Sequence, residues 1–189
     1  MVLDPITVIG KDYQGGTYVL RMRLRRNLRL RFGGFRGGKV IAMPEGEYVY
    51  VGSALSQRGA TALGRRLVRH ASRSEGKSNQ AIRRTMVKRF REIGLGEGDL
   101  LPRSEKKMHW NVDHLLDRRE VRLTHVIAIR SPKRVEGAIG QLLEQDCHTM
   151  IIEKGLGAND MPGNTHLVKV EAEEAWWVEL VGRLEALVV

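Results

Sequence analysis

Residues 17–25 alternate without a break: Tyr18, Leu20, Met22 and Leu24 fall on one side, and Val19, Arg21, Arg23 and Arg25 on the other. A period of two belongs to a half-buried β-strand, because successive side chains leave opposite faces of the pleat. The same parity runs on through Leu28, Leu30 and Phe32 against Arg29 and Arg31, until Gly33, Gly34, Gly37 and Gly38 end it. That pattern predicts a second strand or a hairpin arm. After Gly46, residues 47–52 alternate again around Tyr48 and Tyr50, a further strand whose expected partner is the first.

From residue 61 the period changes. Leu63 and Leu67 stand four apart with Arg66, Arg69, His70 and Arg73 around them, which predicts a basic helix. Ile82, Met86, Phe90 and Ile93 repeat at helical spacing before a glycine-rich stop, so residues 72–107 read as a basic insert with its own helix. Residues 109–116 fit a helix or a strand, and residues 124–129 are short, β-branched and apolar, as a buried strand is. Val135, Ala138, Ile139, Leu142 and Leu143 form a helical stripe with Glu136 in its first turn and Ser131 as the expected cap. Residues 155–163 read as loop, 166–170 as strand, and residues 171–189 as a closing acidic helix with Trp176, Leu180, Leu184 and Leu187 on its face. The expected architecture is α+β: a small mixed or antiparallel sheet flanked by helices, one domain over 189 residues.

The charge is localised. Residues 58–91 hold eleven basic residues and one acid, Glu75, a local balance of +10 that equals the net charge of the whole chain. Residues 21–39 carry eight basic residues and no acid, whereas residues 171–189 carry five acids against Arg183. Clustered Lys and Arg favour polyanions, since binding releases condensed counterions, so nucleic acid is the expected partner. Arg58, Arg65, Arg69, Arg73, Arg83, Arg84 and Lys88 are the candidate phosphate contacts, although a charge run is equally what a solvated face looks like. Apolar runs are too short for a transmembrane helix, and residues 1–12 lack the basic-then-apolar pattern of a secretory signal, so a cytoplasmic location without membrane association is expected. Cys147 is the only cysteine, which excludes an internal disulfide and any multi-thiolate metal site within one chain.

Two tripeptides mirror each other on the expected strands, Gly16-Thr17-Tyr18 and Tyr50-Val51-Gly52, and Arg66 and His70 follow one helical turn apart. In this order, with Glu136 at the start of a later helix, they resemble the GIY-YIG nuclease superfamily. The likeness is greatest to a branch of unknown function and covers most of residues 16–170. It rests on Gly16 to Leu20, on Tyr48 to Ala54, on Arg66 and His70, on His109 to Leu116, on Gly157 to Asp160, and on His166-Leu167. The chain departs from the pattern at Ser53, where nucleases usually carry a lysine. It also departs at Gly137, Met161 and Gly163, where the branch has cysteines, so no thiol chemistry carries over. The catalytic asparagine aligns with neither Asn159 nor Asn164, and residues 72–107 have no counterpart.

The resemblance implies a metal-dependent endonuclease hydrolysing phosphodiester bonds, in DNA more than in RNA. Its catalytic set here is Tyr18, Tyr50, Arg66, His70 and Glu136. Glu136 is expected to hold one Mg²⁺ or Mn²⁺, Arg66 to fork onto the phosphate, and His70 to bind phosphate or shuttle a proton. Tyr50 is the expected base, with nearby cations favouring its phenolate, and Tyr18 is expected to orient water. The alternative is a nucleic-acid-binding protein that keeps the fold without cutting. Singly, each residue has an ordinary reading: strand tyrosines are common in cores, and a glutamate suits any helix N-terminus. Glu144 is an alternative ligand. His109 and Asp113, four apart, fit either a shared metal face, with His166 completing it, or a hydrogen-bonded structural pair. Trp110, Trp176 and Trp177 read as packing residues.

Overall fold

The computed structural model describes residues 2–96, 98–102, 104–157 and 164–188. The strands are β1 (Ile6–Ile9), β2 (Gly16–Leu24), β3 (Leu28–Arg31), β4 (Val40–Met43), β5 (Gly46–Ala54), β6 (Val121–Arg130), β7 (Thr149–Met150) and β8 (Leu167–Val170). The helices are α1 (Leu63–His70), α2 (Arg83–Glu92), α3 (Asn111–Leu116), α4 (Glu136–Glu144) and α5 (Glu174–Ala186). Six strands form one sheet in the order β1-β6-β2-β5-β8-β7, and β3 pairs with β4 in a separate hairpin. The α+β architecture is therefore as the pattern predicts, and the sheet is mixed because β1 runs parallel to β6.

β2 lies at the centre, antiparallel to both β5 and β6. Its alternation predicts one wet face, yet Val19 is buried as completely as Leu20. The reason is a second layer. One face of the sheet, with Tyr18, Leu20, Met22 and Leu24, is covered by α1, α2, α3 and the β3–β4 hairpin. The other, with Val19, Val49, Val51, Ile127 and Ile129, is covered by α4 and α5. Polar character returns at Arg21, whose guanidinium lies 4.4 Å over the Trp177 ring and pairs with Glu47 and Glu174 at 2.8 Å each.

The segment read as an insert is built into the main core. Ile82, Met86 and Phe90 join the same buried cluster as Leu63 and Leu67. Ahead of α2, buried Gln80 donates to the carbonyls of Leu116 and Val121 and accepts the N–H of Leu123, so it satisfies backbone that the sheet leaves unpaired. The expected Ser131 cap is absent: its hydroxyl accepts from Lys133 N–H, and Val135 is the residue that precedes α4, with no side-chain cap. Helix α5 follows its predicted face, burying Trp176, Trp177, Leu180 and Leu184.

In the basic block at residues 21–39, Arg21, Arg23, Arg26, Arg36 and Lys39 face acids from elsewhere in the chain. Arg23 faces Glu45 and Glu47, Arg26 meets Glu120 at 2.6 Å, and Lys39 meets Glu153 at 2.7 Å. Among the described residues no helix is long and apolar enough to cross a membrane.

Because Phe90 is fully buried against the sheet-facing core, Phe90→Ala should lower the stability of the whole domain by about 3–5 kcal/mol. Urea unfolding followed by both helical and tryptophan signals should show one shifted transition. Early melting of residues 72–107 alone would show instead that they fold apart from the core.

Candidate functional site

Strand register brings the first two candidate residues together. Tyr18 lies directly across from Gly52 in the β2–β5 ladder, and Tyr50 sits two residues before Gly52 on the same face. A Cβ at Gly52 would lie 2.6 Å from the Tyr18 hydroxyl and 3.0 Å from the Tyr50 ring, so only glycine leaves room for both phenols. The ring centroids are 6.2 Å apart. Gly157, with φ +90°, closes over Tyr50 from the other side, where a Cβ would come within 3.1 Å of the ring.

Helix α1 crosses this face and delivers His70. Its Nε2 lies 2.8 Å from the Tyr18 hydroxyl, and its Nδ1 lies 3.2 Å from Asp113 Oδ1. Asp113, on α3, has no exposed side-chain surface and gathers far more than one partner. It accepts from Arg69 at 3.1 Å and from the backbone N–H groups of His109 and Trp110, and the ammonium of Lys106 stands 3.3 Å away. The readings for His109 and Asp113 resolve here: the two meet through the His109 backbone, and Asp113 is spent on cations and N–H donors.

Burial governs the ionisation of this chain of groups. Desolvation pushes the His70 pKa down to about 4, against the opposing pull of Asp113, so the imidazole is neutral at pH 7. Burial alone would raise the Asp113 carboxyl, but its bond to His70 and the charges of Lys106 and Arg69 outweigh that and hold it well below the usual range. An ionised Asp113 beside a neutral His70 fixes the tautomer: Nδ1 carries the proton toward Asp113, and Nε2 accepts the Tyr18 O–H. Desolvation raises Tyr50 well above its ordinary value, and the negative charges of Glu136 and Asp113 add to this. The expected cation-favoured phenolate at Tyr50 is therefore absent. Tyr18 is raised as well by burial, but Arg66 and the hydrogen-bonding influence of Tyr50 oppose the rise. Of the two phenols, Tyr18 is the better placed to exchange a proton.

Arg66 is held by stacking. Its guanidinium lies 3.7 Å from the centroid of the Trp110 ring, which Arg69 also approaches at 4.6 Å. Trp110 is thus an arginine platform as well as a packing residue. Buried Arg66 Nε has no hydrogen-bond partner, and among the described residues no carboxylate pairs with this guanidinium. Glu136 opens α4 and is 14% exposed, and its Oε1 lies 3.3 Å from Nδ1 of His166, which has no exposed side-chain surface. Both His166 ring nitrogens lack a hydrogen-bond partner. Glu144 is engaged elsewhere, accepting from the backbone N–H of Thr165.

Tyr18, Tyr50 and His70 meet beneath the surface, where Tyr18 is 1% and Tyr50 3% exposed, and Arg66 and Glu136 act on Tyr18 through their charges. Lys106 belongs to the cluster and carries no sequence signal, whereas Asp113 stands out through its four-residue spacing from His109. Of the candidate phosphate contacts, Arg73 is spent on the carbonyls of Leu116, Ser78, Arg118 and Val121, and Arg69 on Asp113 and the Lys107 carbonyl. Arg65 and Arg69 line a cavity of about 260 Å³ with Leu100, Leu101 and Lys106. Arg83, Arg84 and Lys88 line an open groove along α2, and Arg58 is exposed. Residues 158–163, which include Asn159, Asp160, Met161 and Gly163, lie outside the described residues.

A family model described as Domain of unknown function DUF123 matches residues 17–187. The chain belongs to the DUF123 family. No curated protein and no solved structure matches the chain. The DUF123 match takes in every residue of the buried cluster, from Tyr18 to His166.

The buried neutral His70 makes this DUF123 protein acid-sensitive. Between about pH 6.5 and 4 the unfolded chain binds a proton that the folded chain excludes, so stability falls as pH drops through that window. The loss should be on the order of 3 kcal/mol. Melting temperature against pH reads it, and His70→Gln should flatten the slope; an unchanged slope in that variant would assign the sensitivity to other groups.

Proposed function

We propose that this protein is a divalent-cation-dependent nuclease of GIY-YIG type that hydrolyses phosphodiester bonds in DNA. The observation that carries the reading is Arg66. A nearly buried guanidinium with an unpartnered Nε and no carboxylate among the described residues is costly, and a bound phosphate is the ligand that offsets such a cost. The Trp110 ring holds the guanidinium plane in place without consuming its donors.

Beside it stands a route for a proton. Tyr18 Oη can accept a proton from an attacking water while passing its own to His70 Nε2, and ionised Asp113 stabilises the imidazolium that forms. The phenol thus acts without resting as a phenolate, and Tyr18 takes the base role expected of Tyr50. Tyr50 then orients water or phosphate. Glu136 fits a cation ligand, as a half-buried carboxylate facing the unpartnered ring of His166. A Mg²⁺ or Mn²⁺ held there supplies charge neutralisation at the phosphate oxygens. Arg58, Arg83, Arg84 and Lys88 then hold the nucleic-acid backbone.

One observation favours the second reading, a nucleic-acid-binding protein that does not cut: Tyr18, Tyr50 and His70 are all under the surface. Under the first reading, the Arg66–Trp110 stack has to shift when substrate arrives.

Supercoiled plasmid and flap DNA incubated with Mg²⁺ or Mn²⁺ separate the two. Cleavage should fall by about 10²- to 10³-fold in Arg66→Ala, Tyr18→Phe and Glu136→Gln, with DNA affinity changed far less in the last two. Salt-sensitive binding without cleavage of any substrate would leave the second reading, and cleavage indifferent to all three changes would remove this site from the reaction.

A further inference from the structure

We infer that His166 is a second protein ligand of the divalent cation at Glu136, and that the site therefore selects a first-row transition ion such as Mn²⁺ over Mg²⁺. The inference rests on the proposed role of Glu136 as the carboxylate ligand.

An imidazole with no exposed surface and no partner on either nitrogen is an unmet cost in a protein interior. His166 is pinned in that state by its own backbone: its N–H donates to Leu156 O at 3.0 Å, and its carbonyl accepts from Val51 N–H at 2.9 Å. Helix α4 is shaped around the ring. A Cβ at Gly140 would come within 3.0 Å of His166 Cδ2 and 3.2 Å of Nε2, so the Nε2 edge rests on the helix and Nδ1 is left toward Glu136.

The 3.3 Å between Nδ1 and Oε1 lacks hydrogen-bond geometry. It matches the separation of two ligands on one ion. Bonds of about 2.1 Å put neighbouring ligand atoms about 3.0 Å apart in an octahedron and about 3.4 Å apart in a tetrahedron.

Charge points the same way. Glu136 supplies one negative charge, and the N-terminal turn of α4 offsets part of it with roughly half a positive charge. A hard Mg²⁺, bound by charge and oxygen alone, gains little from such a site. An imidazole nitrogen adds a coordinate bond that Mn²⁺, Co²⁺ and Zn²⁺ use and Mg²⁺ seldom does.

The test titrates Mn²⁺ alone into the metal-stripped full chain, without nucleic acid. Loss of the free-ion paramagnetic resonance signal reads binding, and electron spin echo modulation on bound Mn²⁺ reads a directly coordinated nitrogen. The wild type should show that nitrogen, and displacement of Mn²⁺ should need at least a hundredfold excess of Mg²⁺. His166→Gln should lose the nitrogen signal and bind about 10- to 100-fold more weakly. The wild-type spectrum decides the matter even where the variant fails to fold. Bound Mn²⁺ without a coordinated nitrogen would overturn the role of His166 while leaving Glu136 and the nuclease reading intact. No Mn²⁺ bound by the wild type would overturn both metal roles. A coordinated nitrogen without any DNA cleavage would uphold the ligand and count against the nuclease reading alone.

Discussion

A single buried carboxylate joins the parts of this molecule that sequence separates. Asp113 binds Arg69 and His70 of α1, the Lys106 ammonium from residues 72–107, and the N–H groups that precede its own helix. The Lys106 ammonium and the Arg69 guanidinium are costly to bury without a counter-charge, and both draw it from this one anion. Removing this carboxylate would leave the buried Lys106 ammonium without its counter-charge, a defect of several kcal/mol. The same interaction sets the tautomer of His70 and so the direction in which the Tyr18 proton points. Stability and chemistry draw on one group.

Close packing does the remaining positioning. Gly52 admits the two phenols, Gly157 closes over one of them, and Gly140 admits the ring of His166 to the surface of α4. At Gly52 and Gly140 the requirement is space for a neighbouring side chain alone, while at Gly157 a φ of +90° adds a backbone reason for glycine. Antiparallel pairing then makes the arrangement rigid, because a slip of one residue between β2 and β5 would send Tyr18 to the face covered by α4 and α5.

The strands and helices with clean periodicity were legible: β2, β5, α1, α2 and α5 follow their alternation or their four-residue spacing. β1 and β7 were not, since four and two residues are too short to display a period. The charge pattern misled where partners are distant in sequence. Nothing near Arg21 foretells Glu174, and Arg73 looks like a phosphate contact until the carbonyls at the end of α3 are in place. Composition alone gave Tyr50 a cationic environment, whereas burial, a property of the fold, decides its ionisation. Asp113 shows the same limit from the other side, because its importance comes from cations supplied by two other segments.

The excess of basic over acidic residues is concentrated in one stretch of the chain. Residues 58–91 hold a balance of +10, equal to that of the whole chain, and there Arg69, Arg73 and Lys77 are bound inward. The outward cations sit mainly on α2, whose ten residues measure about 15 Å, the axial span of about four phosphates on one strand of a duplex. Under the nucleic-acid reading, so short a track supplies orientation and modest, salt-sensitive affinity. Under that reading, recognition of a particular substrate has to arise at Arg66, whose guanidinium lies on Trp110 with its Nε unpartnered. Under the nucleic-acid reading, a substrate whose backbone bends or frays there reaches the buried phenols more readily than a straight duplex does, so that reading assigns discrimination to substrate shape more than to sequence.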